Sequence, residues 1–234
     1  MNSNKLQIVL KERFNEQKLR YIYKHFNTLP LRDETKNPRD TTYNPLKIME
    51  GYMRKGLGGE ITVTYEKVAH GMGRLFAKYS HSLANLPREV RHTIAHEFYH
   101  DIDMVNAHPS ILLWYCSNHG LECTTLKLYV SDRDRLLLEF MDTSGLPRDE
   151  CKNIILAITN GGGKNYKRFT CPEWVSDYER EMKTIHTYVM QNEKNVVDIS
   201  KKKGKDFNIS GSAVNLLLCE MENELLMSLY NFAQ

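Results

Sequence analysis

Residues 148–163 read RDECKNIILAITNGGG. Pro147 stands immediately before them, where its fixed φ suits the first turn of a helix, and successive glycines end the run. Between these signals Arg148, Lys152, Leu156 and Asn160 recur at intervals of four, so one helix face carries all of them. Two cations one turn apart can grip phosphate oxygens, the Arg through its planar fork and the Lys as a point charge. The Asn160-Gly161-Gly162-Gly163-Lys164 turn adds backbone amides that could contact phosphate as well. The bland alternative is an ordinary amphipathic helix with a glycine cap.

Outward from this segment the chain reads as mostly helix around a few strands. Residues 5–27 suggest an amphipathic helix, with Leu6, Val9, Leu10, Phe14, Leu19, Tyr23 and Phe26 on one stripe. A polar loop containing Pro30, Pro38 and Pro45 leads to a short helix near 46–55. Ile61–Tyr65 alternates like a strand, Gly71–Phe76 is its candidate hairpin partner, and 97–105 is a candidate central strand. Further helices are expected from Pro109 to Asn118, over 132–142, from Pro147 to Asn160, from Pro172 to Gln191 and over 212–234. Leu216–Leu218, Leu225, Leu226 and Leu229 would form the buried stripe of the last one. The fold class implied is α+β, with no linker, repeat or low-complexity segment.

A chain of 234 residues can form one large domain or two small ones. Its composition, 41% hydrophobic and 26% charged, is that of a globular protein and argues against disorder. A net charge of +3 permits nucleic-acid binding without demanding it, because a binding face needs clustered cations. Clusters occur at Lys164–Arg168 and Lys201–Lys205, where solvated charge runs are the plain alternative. The cysteines, Cys116, Cys123, Cys151, Cys171 and Cys219, show no C-x-x-C spacing and suggest small core residues in a reducing compartment. With no signal-peptide run and no apolar stretch of membrane-spanning length, a soluble intracellular protein without membrane partners is expected. A viral or plasmid source fits this composition equally well.

Two readings compete over residues 96–103. If 101–103 is extended, Asp101 and Asp103 project to one face and either could hold Mg²⁺. His96-Glu97-Phe98-Tyr99-His100 is also a literal H-E-x-x-H. On a helix, His96 and His100 would share a face and bind Zn²⁺, with Glu97 as general base. His92 continues the spacing, and Asp101, Asp103 or His108 could supply a third ligand.

Four segments together resemble family A DNA polymerases, in the order that family uses. Gly73-Arg74-Leu75 with Ser82–Arg88 resembles the block lying along the primer–template, which implies that Gly73, Arg74 and Arg88 contact nucleic acid. Asp101–Pro109 resembles the family's motif A. This implies Asp101 (or Asp103, by the wording of family B) as catalytic metal ligand, Asn106 against the sugar and His108 in a substrate-binding place. Arg148, Lys152, Leu156 and Asn160-Gly161 match the fingers helix that meets the incoming nucleotide, with Leu156 and Asn160 replacing aromatic residues and Lys164 following. Ser210-Gly211 resembles the start of a helix packed beside the template.

The nearest subgroup by wording is the divergent family A polymerase of transposon-like viruses and virophages, often fused to a helicase. The resemblance implies a small antiparallel-sheet palm with mostly helical, shortened fingers. It divides the chain into an N-terminal helical region (1–60), palm (61–146), fingers (147–208) and a palm helix (209–234). It further implies a DNA polymerase core that binds primer–template DNA, deoxynucleoside triphosphates and two Mg²⁺ ions. The family's last acidic motif has no counterpart before Gln234, so the chain is not expected to polymerise by itself. It would need a missing C-terminal segment, and a helicase or primase is a candidate partner. The expected location is a viral replication site, or the host cytoplasm or nucleus. The alternatives are a zinc metallopeptidase on residues 96–100 and a non-catalytic nucleic-acid-binding module.

Overall fold

The computed structural model describes residues 7–37, 40, 42–68, 70–79, 81–162, 164–202 and 207–233. The chain divides into two compact units: residues 1–71 with 75–103, and residues 72–74 with 104–234.

Unit 1 is a three-stranded antiparallel sheet with helices packed on it. β1 (Gln7–Arg13) pairs with β2 (Glu60–Lys67), placing Gln7 opposite Glu66 and Arg13 opposite Glu60, and β2 pairs in turn with β3 (Leu75–Ala77). α1 (Glu16–His25), the single turn α2 (Asp33–Lys36), α3 (Pro45–Lys55) and α4 (Arg88–Ala95) complete the unit. Leu19 and Ile22 of α1, Met49 and Tyr52 of α3, and Val90 and Ile94 of α4 bury against Ile61 and Val63 of β2. Asn15 caps α1 by accepting from the Lys18 N–H at 3.0 Å, and Asn44 caps α3 similarly at 3.1 Å.

The helix expected over 5–27 is therefore a strand, a turn and a helix. Gln7–Arg13 has period-two exposure, with Val9 exposed and Glu12 buried, and β-branched Ile8 and Val9 suit a pleated surface. Leu6 of the expected stripe lies outside the described residues. Glu12 is the cross-brace of this unit. Its carboxylate accepts from Tyr52 Oη at 2.9 Å, from Tyr65 Oη and from the Leu83 N–H at 2.7 Å. These bonds satisfy a charge that would otherwise be costly to bury.

The central strand expected at 97–105 does not form. The chain turns after α4 and runs as coil, with Ile102 78% and Val105 82% exposed. Ile102 and Met104 alternate but Val105 falls on the opposite face, so an extended segment has no continuous apolar side to bury. The middle strand of the sheet is β2.

Unit 2 is helical. α5 (Ala107–Asn118), α6 (Thr124–Ser131), α7 (Arg133–Ser144), α8 (Arg148–Thr159), α9 (Glu173–Asn192), α10 (Lys194–Lys202) and α11 (Ile209–Phe232) follow in order. Its core gathers Leu112 and Cys116 of α5, Leu137 and Phe140 of α7, Ile155 of α8, and Val175, Tyr178 and Ile185 of α9. Cys116, Cys123 and Cys151 are buried, and Cys171 and Cys219 are partly buried. On α11 the stripe holds only in its first half. Leu216, Leu217 and Leu218 are buried, whereas Leu225, Leu226 and Leu229 are about half exposed. No helix among the described residues is long and apolar enough to cross a membrane.

The coarse expectation, mostly helix with a small antiparallel sheet, is what the chain adopts.

Candidate functional site

α8 presents two faces. Cys151, Ile155, Ile158 and Thr159 are buried, while Arg148, Lys152 and Leu156 are exposed. The four-residue spacing read from the sequence thus becomes a solvent-facing ridge. Arg148 pairs with Asp134 of α7 at 2.5 Å, but the Asp134 side chain is 87% exposed. An ion pair this open contributes at most about 1 kcal/mol and exchanges readily for another anion.

The ridge ends in a packed polar junction. Asn160 follows α8, and its carbonyl accepts from Asn208 Nδ2 at 2.9 Å while its side-chain oxygen accepts from Asn215 Nδ2 at 3.1 Å. Asn208 adopts φ +52 and accepts from the Gly211 N–H at 3.2 Å, capping α11. Gly161 adopts φ +71, and a Cβ there would lie 2.8 Å from His186 and 3.2 Å from the Gly211 Cα. Two glycines thus let the end of α8 and the start of α11 touch backbone to backbone. Gly211, expected beside nucleic acid, here meets Asn160 and Gly161, and Ser210, expected there too, faces His186. The Lys164 side chain lies outside the described residues.

His186 of α9 closes this junction from below. Its Nε2 is 2.9 Å from the Thr159 carbonyl and its Nδ1 is 3.3 Å from Ser210 Oγ. A carbonyl can only accept, so Nε2 carries the proton, and Nδ1 accepts from the Ser210 hydroxyl. Burial holds its pKa below the ordinary imidazole value, against the opposing effect of the Thr159 carbonyl. Thr159 Oγ1 also bonds the buried Tyr178 hydroxyl at 2.9 Å. A cavity of about 470 Å³ opens here, lined by Gly161, Gly162, Lys183, His186 and Ser210 among others.

A second constellation in unit 2 joins residues 72–74 to α5 and α11. Gly73 adopts φ +91 over Leu216, and its N–H donates to Glu220 at 2.6 Å. Arg74 consequently reaches Glu222 at 2.7 Å and stands 3.5 Å from His108 Nε2. His108 lies 3.7 Å from the Glu222 carboxylate, and burial, more than that carboxylate, sets its pKa, which is lowered. Gly73 and Arg74 were expected to approach a nucleic-acid backbone. In the chain Gly73 approaches α11, and Arg74 gives its guanidinium to Glu222.

The acidic and H-E-x-x-H residues lie in unit 1. Asp101 and Asp103 are exposed in coil, with the Asp101 carboxylate 3.4 Å from His92 Nε2. No third His, Cys, Asp or Glu of that unit converges on them among the described residues. The expected two-aspartate Mg²⁺ site on a strand end therefore lacks its strand. The zinc-peptidase geometry is absent as well. α4 ends at Ala95, and His96 caps it with Nδ1 3.0 Å from the Thr93 carbonyl. His96 and His100 thus share no helix face. Glu97, the supposed base, accepts from Lys18 at 2.6 Å and from Asn15 at 3.0 Å, and these bonds lower its pKa. Arg88 sits exposed at the start of α4. Asn106 takes φ +58 and caps α5, with Nδ2 buried and without a hydrogen-bond partner among the described residues.

Sequence reasoning missed Asn208, Asn215, His186, Cys219, Glu220 and Glu222. Asn208 carried a readable signal, an Asn before the helix-opening Ile-Ser-Gly. The others are ordinary helical positions until the fold brings them together.

No family model matches the chain, and no solved structure matches it. Among curated proteins it is similar to one from Sputnik virophage named "Putative helicase V13", 27% identical over 201 residues, which are 82% of this chain and 25% of that protein. The chain therefore spans about a quarter of the relative it matches. This corrects the family A polymerase assignment, and with it the polymerase activity. The relative found carries a helicase name, and no polymerase family model recognises the sequence.

Proposed function

We propose that this chain is a nucleic-acid-binding region of a viral replication protein, acting alongside a helicase motor rather than forming it. The observation that carries this reading is the similarity, over 82% of the chain, to a virophage protein named as a helicase. The exposed ridge of α8 supplies a physical means. Arg148 and Lys152 stand one turn apart, and Leu156 beside them offers an apolar surface at 45% exposure. Phosphates draw on the cations, and a base or sugar can rest on the leucine.

A helicase motor needs a phosphate-binding loop in which Gly-Lys is followed by Ser or Thr. The two Gly-Lys pairs of this chain, Gly163-Lys164 and Gly204-Lys205, are followed by Asn165 and Asp206. The three-stranded antiparallel sheet also differs from the strand–loop–helix unit that carries such a loop.

Fluorescence anisotropy with labelled single- and double-stranded DNA and RNA tests the proposal. Binding should weaken with rising salt, as counterion release requires. The double variant Arg148→Glu, Lys152→Glu should lose most of it. Affinity equal to that of wild type in the double variant would remove α8 from the interface.

A further inference from the structure

Cys219 and Glu222 lie one turn apart on α11 and meet His108 in the first turn of α5. One donor atom from each lies within 4.8 Å of the other two. We propose that His108, Cys219 and Glu222 bind a single divalent cation of the zinc type. The ligands would be an imidazole nitrogen, a thiolate sulfur and a carboxylate oxygen, with water in the fourth position.

The geometry is near what such an ion requires. Tetrahedral zinc, with bonds of about 2.0–2.3 Å, holds its donors roughly 3.3–3.8 Å apart. His108 and Glu222 already stand at 3.7 Å, and the Cys219 sulfur lies within 4.8 Å of both. The donor set selects the metal. Magnesium and calcium take oxygen ligands, whereas nitrogen and thiolate sulfur together suit zinc. All three side chains are partly buried, and His108 is only 12% exposed, which limits competition from water.

Arg74 is the built-in competitor. Its guanidinium now balances Glu222 at 2.7 Å and faces His108 Nε2 at 3.5 Å, close to where the cation would sit. The Arg74 side chain is 53% exposed and can turn into solvent. Binding therefore exchanges one cation for another. The Cys219 S–H loses its proton to the buffer, a sulfur–metal bond forms, and Glu222 passes from Arg74 to the ion. The site would then tie α5 to α11, independently of any nucleic acid.

Cobalt(II) is the probe, titrated into the full chain carrying no affinity tag. One equivalent should give a near-ultraviolet thiolate-to-cobalt band that zinc abolishes. Cys219→Ser should remove that band, and His108→Ala, which deletes a ligand outright, should weaken binding by no less than the roughly 10–100-fold that loss of a ligand's outer-shell partner costs. Arg74→Gln keeps every ligand and should tighten binding by about tenfold, since a charge-assisted hydrogen bond no longer competes. In wild type, zinc should protect Cys219 from alkylation by iodoacetamide, read by mass spectrometry. Absence of the band in both wild type and Arg74→Gln would overturn the proposal. So would a band that persists in Cys219→Ser, because the ion would then belong to other cysteines.

Discussion

The Asn160 carbonyl faces the Cα of Gly211 so closely that a Cβ added there would lie 2.7 Å from the carbonyl carbon and nearer still to its oxygen. This contact fixes the end of α8, and with it the Arg148–Lys152 ridge, to the start of α11. Both partners are backbone, so neither can rotate away.

Gly211→Ala should therefore destabilise unit 2 by about 3 kcal/mol, the upper end of the usual overpacking cost. Gly145→Ala is the control. Gly145 has φ +71 but nothing within 4 Å of an added Cβ, so only the backbone penalty of about 1 kcal/mol applies. Urea unfolding followed through Trp114 and Trp174, both in unit 2, measures the two costs.

Asn208 holds the same junction with its side chain. Its left-handed φ of +52 suits Asn or Gly but not Ala. Asn208→Ala should lose the cap and add backbone strain, costing about 2 kcal/mol. Asn208→Gly should cost clearly less. Equal losses in the two variants would show that the left-handed backbone at this position carries no strain.

Burial lowers the pKa values of His186 and His108 below the ordinary 6.5. The unfolded chain therefore binds more protons than the folded one below that value, and stability rises with pH there. Stability should be complete above pH 6.5 and decline as pH falls beneath it. His186→Gln should be less stable at pH 7.5 yet show a shallower decline. Thermal melts between pH 5 and 8 give the comparison, and a steeper decline in the variant would contradict the sign.

Glu12 tests the other unit. Glu12→Ala strands two tyrosine hydroxyls and an amide that now donate to one carboxylate. Leaving buried donors unpaired should cost about 3 kcal/mol. Hydrogen exchange confined to residues 7–71 and 75–103 would report the loss.

Helices opened by proline and closed by glycine or asparagine were legible in the sequence, as at Pro147–Asn160, because local chemistry sets those boundaries. β1 was not, since Ile8-Val9-Leu10 fits a helix stripe as readily as a strand until β2 is present to pair with it. The run at 97–105 misled in the opposite direction, its Asp-Ile-Asp alternation suggesting a strand that does not form. Of the candidate residues, Arg148, Lys152 and Leu156 share the expected face because helical periodicity alone decides it. The pairing of Arg74 with Glu222, and of Asn160 with Asn208 and Asn215, spans distant parts of the chain and follows only from packing. The polymerase resemblance rested on four short segments, and glycines in them serve packing within the chain. Gly73 and Gly211 each approach a neighbouring helix or turn.

The claim that the α8 ridge faces nucleic acid is tested most directly by placing a photo-crosslinking amino acid at Leu156. Phe232, 89% exposed on α11, is the control position. Irradiation with a bound oligonucleotide should yield a protein–nucleic acid adduct from position 156 and little from position 232. Equal yields from the two positions, or no adduct from 156 while the oligonucleotide is bound, would contradict the account.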